Sequence, residues 1–326
     1  MYREQIADAI ARGILEWVNR ISKSAMPSLS PHELQVIGLL IRQCGQQALQ
    51  MATEKFQVYE KGLNDYVTSV DRALDLKLTA GLSQLFWQDG VISEENDQSW
   101  QQFYDGSSHE SNSRLWFIDP IDGTDDFIHG KPHYSVMVGT LEAYKPTAGW
   151  VYAPAFDQLF YGGQDLGLFQ VEGDPLQLSQ GARSPTPLIP TCPADFSKTY
   201  CPIQIGYKDQ SRYGAAITQV IPEAQFDSIG SFGLKILQVI RGHAGLYLYL
   251  NRRVKLWDTV GPLALAQAAG LVCCDLEGNP LKFTPDGIDA KTLAHHQSIV
   301  VGWPHYVEKL RSRLQEAVLL TQEISH

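Results

Sequence analysis

Apolar and polar positions change rhythm twice along this chain. Near its start, Ile6, Ile10, Ile14, Trp17, Val18 and Ile21 recur every three or four residues, the spacing of one face of a helix. "SAMPSLSP" breaks that helix. Ser30 then precedes Pro31, with Glu33 three residues after the serine: a capping box with proline at the first helical position. Leu34, Ile37, Leu40, Ile41 and Cys44 supply the apolar face of this second helix. "YEKGLNDY" reads as a turn. "TSVDRALDLKLTAGLSQLF" reads as a third helix, with Leu74, Leu78, Leu82 and Leu85 on one side. A short strand, 90–93, leads into Glu94 and Glu95. "DQSWQQFYDGSSHESNS" is polar and predicts a surface loop. "RLWFI" predicts a buried strand ending at Asp119, because the residue before a proline is pushed to extended geometry.

From Tyr134 to Phe169 the rhythm turns to β. The runs "HYSVMVGTLE", "AGWVYAP", "QLFYGG" and "LGLFQV", separated by turn residues, predict an antiparallel meander. "QGARSPTPLIPTCPADFS", rich in proline and serine, reads as a linker between domains. Beyond it strand and helix patterns alternate: strands "CPIQIGY", "GLYLYL", "LVCCDLEG" and "SIVVGW", with helices "GLKILQVIRG", "DTVGPLALAQAAG" and "PHYVEKLRSRLQEAVLL". The expected organisation is an accessory helix at 1–25, an N-terminal α+β half with an antiparallel sheet at 26–190, and a C-terminal α/β half at 191–326.

Composition narrows the function classes. The 326 residues carry a formal net charge of -10, which argues against non-specific binding to nucleic acid and against docking to an anionic membrane. No window approaches the length of a transmembrane helix. Five cysteines without metal-ligand spacing point to a reducing compartment, and the charged N-terminus is no signal peptide, so a cytoplasmic location is expected. An acidic protein still binds an acidic ligand when metal ions lie between them.

That exception matters for "WFIDPIDGTDDF", residues 116–127, where Asp119, Asp122, Asp125 and Asp126 follow an apolar run. Crowded carboxylates repel and are costly to desolvate. Taken singly, such acids have ordinary explanations. Asp71 in "TSVD" completes a capping box, Asp258 in "LWDTV" sits where an N-cap belongs, and Asp125 and Asp126 are first-turn acids of a helix. Glu94, Asp119 and Asp122 resist that treatment. Glu94 and Asp119 each follow a strand end and converge if those strands are neighbours, and a Pro-Ile-Asp-Gly turn returns Asp122 to the same place. Hard divalent cations, which take oxygen ligands, account for the gathering. Gly123 and Thr124 open a helical segment whose free N–H groups suit an anion. Together these features suggest metal-assisted phosphoryl chemistry, a structural metal site or strained acidic turn being the alternative.

The same residues resemble the signature of the inositol monophosphatase superfamily, magnesium-dependent and lithium-sensitive phosphomonoesterases. "DYVTSVD" (65–71), "SEEN" (93–96), "DPIDGT" (119–124) and "WD" (257–258) occur in family order. The resemblance implies a layered α-β-α-β-α sandwich and two or three Mg2+ ions. Glu94, Asp119 and the Ile121 carbonyl would hold one ion, and Asp119, Asp122 and Asp258 a second. Asp122 and Asp258 must then approach within roughly 8 Å, since magnesium–oxygen bonds are about 2.1 Å. Asp71 and Thr124 would activate water, and the Gly123 and Thr124 N–H groups would hold phosphate. Replacing Asp122 by Asn is expected to abolish activity and, by relieving repulsion, to stabilise the metal-free protein.

The substrate would be a small phosphate ester. Where inositol monophosphatases place a substrate-binding glutamate, this chain has Asn251, followed by Arg252, Arg253 and Lys255; that basic rim reads equally as a solvated hairpin. "GSFGLK" (230–235), with Lys235, resembles the bisphosphate nucleotidase branch, though its spacing carries one extra residue. Asn251 and Lys235 are therefore candidate substrate contacts, with Glu95 and Arg252 at the margin of the set. The expected activity is of inositol monophosphatase type, with 3'(2'),5'-bisphosphate nucleotidase or sugar- or histidinol-phosphate phosphatase as alternatives. The first helix leaves a homodimer contact open. A non-catalytic nucleotide-binding module would not need the Asp71–Thr124 pair, and neither a P-loop nor a G-x-G-x-x-G motif occurs.

Overall fold

The structure is a computed structural model that describes residues 29–62, 65–104, 114–173, 184–194 and 200–324. The helix expected at 1–25 lies outside these residues, as does most of the polar loop before Arg114. The chain enters through α1 (Pro31–Ala52), capped as its sequence requires: Ser30 Oγ accepts the Glu33 N–H at 3.2 Å and Glu33 Oε2 accepts the Ser30 N–H at 2.7 Å. The segment read as a turn is instead a hairpin, β1 (Val58–Gly62) and β2 (Asp65–Thr68), with Tyr59 opposite Val67. Every residue of β1 is exposed, so it carries no alternation of apolar and polar positions. Next comes α2 (Ser69–Leu85).

A seven-stranded sheet follows. It contains β3 (Gly90–Ser93), β4 (Arg114–Asp122), β5 (Ser135–Glu142), β6 (Lys145–Ala153), β7 (Gln158–Gly163), β8 (Gly167–Glu172) and β9 (Thr186–Pro187), in that spatial order. β3 and β4 are parallel neighbours, with Ser93 opposite Ile118; the remaining pairings are antiparallel. β9 lies inside the segment read as a linker. As the edge strand it tolerates Pro187, because its outer side needs no donor.

The second sheet has the order β11-β10-β12-β14-β13, from β10 (Cys201–Ile205), β11 (Ala224–Asp227), β12 (Leu246–Tyr249), β13 (Val272–Cys274) and β14 (Ile299–Gly302). Between its strands run α4 (Tyr207–Val220), α5 (Phe232–Ile240) and α6 (Leu256–Ala268), and α7 (Pro304–Ile324) closes the chain. α4 and β11 have no counterpart in the sequence reading. α4 buries chiefly Tyr213, Ala216 and Ile217 in an otherwise polar segment, and β11 is half exposed.

The layers alternate helix and sheet, α-β-α-β-α. β4 is buried along its whole length, which is why it reads as a continuous apolar run rather than an alternating one. Trp116 and Ile118 share a core with Ile37 and Ile41 of α1 and Leu74 and Leu78 of α2, whereas Leu115 and Phe117 share one with Leu237 of α5 and Leu263 of α6. Tyr213 and Leu310, from α4 and α7, cover the outer face of the second sheet. α6 lies almost on the backbone of the first sheet. A Cβ on Gly139 would stand 2.2 Å from the Gly261 nitrogen, and one on Gly149 2.0 Å from the Gly261 oxygen. Only glycine permits that approach, and it carries the start of α6 to the end of β4. The five cysteines are free thiols.

Candidate active site

β4 does not stop at Asp119. It continues past Pro120 to Asp122 through an irregular register: Asp119 faces Met137 and Asp122 faces Ser135. Three steps on one strand match two on its partner, a bulge at the residue that has no N–H to pair. In a regular strand, positions three apart point to opposite faces. The bulge cancels that alternation and brings both aspartates to one side. Here the structure replaces the expected terminal turn with a distortion inside the strand.

Asp258 arrives from α6. It is the third residue of that helix rather than its N-cap. Lys255 occupies the cap, and Asp258 Oδ2 accepts the Lys255 N–H at 2.8 Å. Asp119, Asp122 and Asp258 offer oxygens that all lie within 4.8 Å of one another. This separation meets the approach required of ligands to a shared ion.

The three are held differently. Asp122 accepts Ser231 Oγ at 2.5 Å, the Phe232 N–H at 3.0 Å, the Gly233 N–H at 2.9 Å and Ser135 Oγ at 3.4 Å. It thus sits on the exposed amides of the first turn of α5. Asp119 Oδ1 is buried and accepts no hydrogen bond from the described residues. Burial, then the charges of Glu94, Asp122 and Asp258, pushes the Asp119 carboxyl well above the carboxylate range. Burial also raises Asp122, against the pull of Lys235 and its donors. Burial followed by Glu94 and Asp122 brings Asp258 to about 7. A buried anionic oxygen without a donor, among carboxylates that repel it, fits a cation with oxygen ligands.

Glu94 begins where β3 ends, its N–H bonded to the Ile118 carbonyl at 3.1 Å. Its carboxylate pairs with Lys61 of β1 at 3.3 Å, and Glu95 pairs with the same ammonium at 2.5 Å. Burial alone would lower the Lys61 pKa, but the two glutamates hold it above its ordinary value. Burial and the Glu94 charge take Glu95 up to about 7. Lys61 was not singled out from the sequence, and a lone lysine in an exposed strand leaves no signal there.

Asp71 does complete the capping box of α2, accepting both the N–H and the hydroxyl of Thr68. Its other oxygen faces Thr124 Oγ1 at 3.4 Å, so the cap also aims the carboxylate into the site. Burial lifts its pKa to about 6 against the Thr68 bonds. Thr124 is the first residue of a short helix, α3 (Thr124–Ile128), whose cap is Gly123 at φ 92°. A side chain at Gly123 would be strained there, and its Cβ would crowd the Ser231 nitrogen at 3.0 Å. Thr124 Oγ1 also reaches the Ile121 carbonyl at 2.9 Å. First-turn N–H groups such as those of Gly123 and Thr124 have no acceptor within their helix. Of the next acids, Asp126 is buried and accepts the Gly230 N–H and Lys131 Nζ, joining α3 to the loop before α5.

The expected substrate residues fare unequally. Lys235 is buried, and its Nζ donates to the carbonyls of Ile229 and Gly230 at 2.8 Å each; burial lowers it to about 8. It braces the loop that carries Ser231. Asn251 Oδ1 accepts the Arg253 N–H at 3.1 Å, and its side chain also bonds Asp209. Arg252 and Arg253 are exposed and, with Lys255, line a cleft of about 510 Å³. Ser231 and Ser135, whose hydroxyls lie 2.9 Å apart and both face Asp122, went unremarked in the sequence. The serine of "GSFGLK" was the available signal for the first.

The five-layer α/β fold sets a carboxylate cluster that could hold a cation beside a helix start, an arrangement suited to phosphoric monoesters. The chain belongs to the inositol monophosphatase family, whose match spans residues 33–317. It is 30% identical over 250 residues to the Escherichia coli 3'(2'),5'-bisphosphate nucleotidase CysQ, covering 76% of this chain and 92% of that protein. It is 29% identical over 238 residues to inositol monophosphatase 3 of Solanum lycopersicum, covering 73% and 83%. In fold it is similar to the Thermotoga maritima IMPase, with a TM-score of 0.66, 20% identity and coverage of 89% and 99%. The extragenic suppressor protein suhB of Bartonella henselae gives 0.65, 22%, 86% and 97%.

Proposed function

We propose that this protein is a Mg2+-dependent phosphomonoesterase acting on a small phosphorylated metabolite. The observation that carries the reading is the carboxylate triad with its partnerless Asp119 oxygen, set beside the Asp71–Thr124 pair. Asp119, Asp122, Asp258, Glu94 and the Ile121 carbonyl would hold two or three ions. Bound there, Mg2+ would supply charge neutralisation and Lewis acidity for displacement at phosphorus.

The chain's own residues do the rest. The Gly123 and Thr124 N–H groups fix the phosphate against the start of α3. The attacking water donates to Thr124 Oγ1, and the threonine proton turns from the Ile121 carbonyl, 2.9 Å away, to Asp71, 3.4 Å away. With a pKa lifted to about 6, Asp71 accepts a proton near neutral pH more readily than an ordinary aspartate. Lys61 draws Glu94 and Glu95 toward the hairpin.

A second, finer reading is 3'(2'),5'-bisphosphate nucleotidase activity. Supporting it are the likeness to CysQ and the asparagine at 251, which offers a polyol no carboxylate and whose side chain is engaged with Arg253 and Asp209. Phosphate release should be assayed with and without Mg2+ on inositol 1-phosphate, fructose 1,6-bisphosphate, histidinol phosphate and adenosine 3',5'-bisphosphate. Mg2+-dependent release from at least one is expected. Release from none would sink the phosphomonoesterase reading, and release from inositol 1-phosphate alone would remove the nucleotidase one.

A further inference from the structure

We propose that Trp100 is a positioning residue that fixes the reach between Glu94 and Asp258, and that the cation affinity of the site depends on it. The inference rests on the reading of these carboxylates as cation ligands and gives the two a shared support.

Glu94 follows β3, the edge strand of the seven-stranded sheet. An edge strand presents a row of N–H and C=O groups that no neighbouring strand pairs. Here side chains fill that row. They come from a 3₁₀ helix at Asp97–Phe103, inside the segment whose sequence reads as a surface loop. Gln102 Oε1 accepts the Val91 N–H at 3.2 Å, and Gln102 Nε2 donates to the Val91 carbonyl at 3.0 Å. Ser99 Oγ accepts the Ser93 N–H at 3.1 Å, and Trp100 Nε1 donates to the Ser93 carbonyl at 2.7 Å. The last residue of β3 is thus pinned on its outer edge one position before Glu94, whose own N–H is bonded to the Ile118 carbonyl of β4.

The same indole meets the element that carries Asp258. Its ring centroid lies 5.0 Å from that of Trp257, with the planes tilted by 34°. Trp257 is buried at the second position of α6, directly before Asp258. One side chain therefore holds the residue before Glu94 by a hydrogen bond and the residue before Asp258 by ring packing. Tyr104, just after the 3₁₀ helix, donates its hydroxyl to the Ile288 carbonyl at 3.4 Å and ties the same segment to the chain between β13 and β14. Magnesium demands near-ideal octahedral geometry, so a small drift of Glu94 relative to Asp258 weakens a site that draws on both. Trp100 touches neither carboxylate and acts through Ser93 and Trp257.

The test is a calorimetric titration of Mg2+ into the EDTA-treated and dialysed protein, without substrate. Trp100→Phe keeps a ring against Trp257 and loses the bond to Ser93; Trp100→Leu loses both. The Mg2+ Kd should rise about tenfold in the first and further in the second, within the roughly 10–100-fold span typical of groups that orient a metal ligand. Gln102→Leu is the control. It strips two bonds from the same strand edge, at Val91 rather than at the residue before Glu94. It should lower the melting temperature and leave the Mg2+ Kd unchanged. Wild-type Mg2+ affinity in both Trp100 variants, or an equal loss in Gln102→Leu, would show that this segment only stabilises the sheet edge and would overturn the inference. A wild-type protein that binds no Mg2+ would overturn it together with the cation reading. Weakened Mg2+ binding in the Trp100 variants of a protein that hydrolyses none of the esters would support it and remove the phosphomonoesterase reading alone.

Discussion

Asp119 and Asp122 stand three residues apart on the same strand, yet the molecule treats them in opposite ways. Asp122 rests on the N-terminal turn of α5 and accepts four donors. Asp119 Oδ1 accepts none from the described residues and faces the charges of Glu94, Asp122 and Asp258. One carboxylate is integrated into the protein; the other is stable as an anion only in the company of something positive. The difference teaches that a carboxylate cluster is not uniformly strained. A part of it does structural work before any cation binds.

Substitution should separate the two most sharply. Asp119→Asn and Asp122→Asn should each abolish turnover, since each removes a charge from the cluster. In the EDTA-treated protein their melting temperatures should move apart. Asp119→Asn should melt higher, because it removes repulsion and gives up no donor. Asp122→Asn should melt lower, with a loss of about 1–3 kcal/mol, because an amide nitrogen must face N–H and O–H donors. This reverses the gain expected for Asp122→Asn from repulsion alone. Parallel shifts in both variants would break the comparison.

Thr124→Ala comes next in size. Its hydroxyl reaches Asp71 and the Ile121 carbonyl, while Gly123 provides the cap. Turnover should fall by roughly 10²–10⁴-fold, with little change in melting temperature and with recovery in Thr124→Ser. A melting-temperature drop without a loss of rate would mean that the Asp71–Thr124 pair is structural.

Ser231→Ala sharpens the Asp122 side. It deletes a 2.5 Å bond to Asp122 and the cap to the Leu234 N–H. A loss of about 1–2 kcal/mol in chemical denaturation is expected, with a smaller rate effect than Thr124→Ala. An unchanged stability would show that the donors on Asp122 are redundant.

The smallest expected effect is on pH. In the folded, ion-free protein Asp71 is lifted to about 6 and Asp258 to about 7, both above an unfolded value near 4. The folded state therefore binds more protons between those values, and stability falls as pH rises through them. Melting temperature in EDTA should decline from pH 5 to pH 8, and Mg2+ should flatten the slope. A rise over that interval in EDTA would contradict the assigned shifts.

Several elements were legible because their signals are local. Ser30, Pro31 and Glu33 set the start of α1 within four residues, and the apolar run before Asp119 marked a strand buried on both faces. The convergence of Glu94 and Asp119 was legible only on the condition that their strands were neighbours, and the parallel pairing of β3 with β4 supplies that condition. The β1–β2 hairpin, α4 and β9 were not legible. Each buries too little apolar surface, or sits too near proline, to impose a period on its residues. Lys61 escaped notice for the same reason, since its meaning comes from Glu94 and Glu95, more than thirty positions away.

By itself, then, the sequence determined which residue types were gathered: hard oxygen donors at strand ends, a glycine–threonine helix start and a basic rim. These depend on spacing along the chain, which local backbone geometry reads directly. Tertiary structure alone decided how each is used. The bulge at Pro120 turned Asp122 to the side of Asp119, the contact of Gly261 with Gly139 and Gly149 delivered Asp258, and the first turn of α5 claimed Asp122 as its acceptor. Those outcomes depend on register, close backbone approach and competition for donors between distant segments, and none of these is a property of a short stretch of sequence.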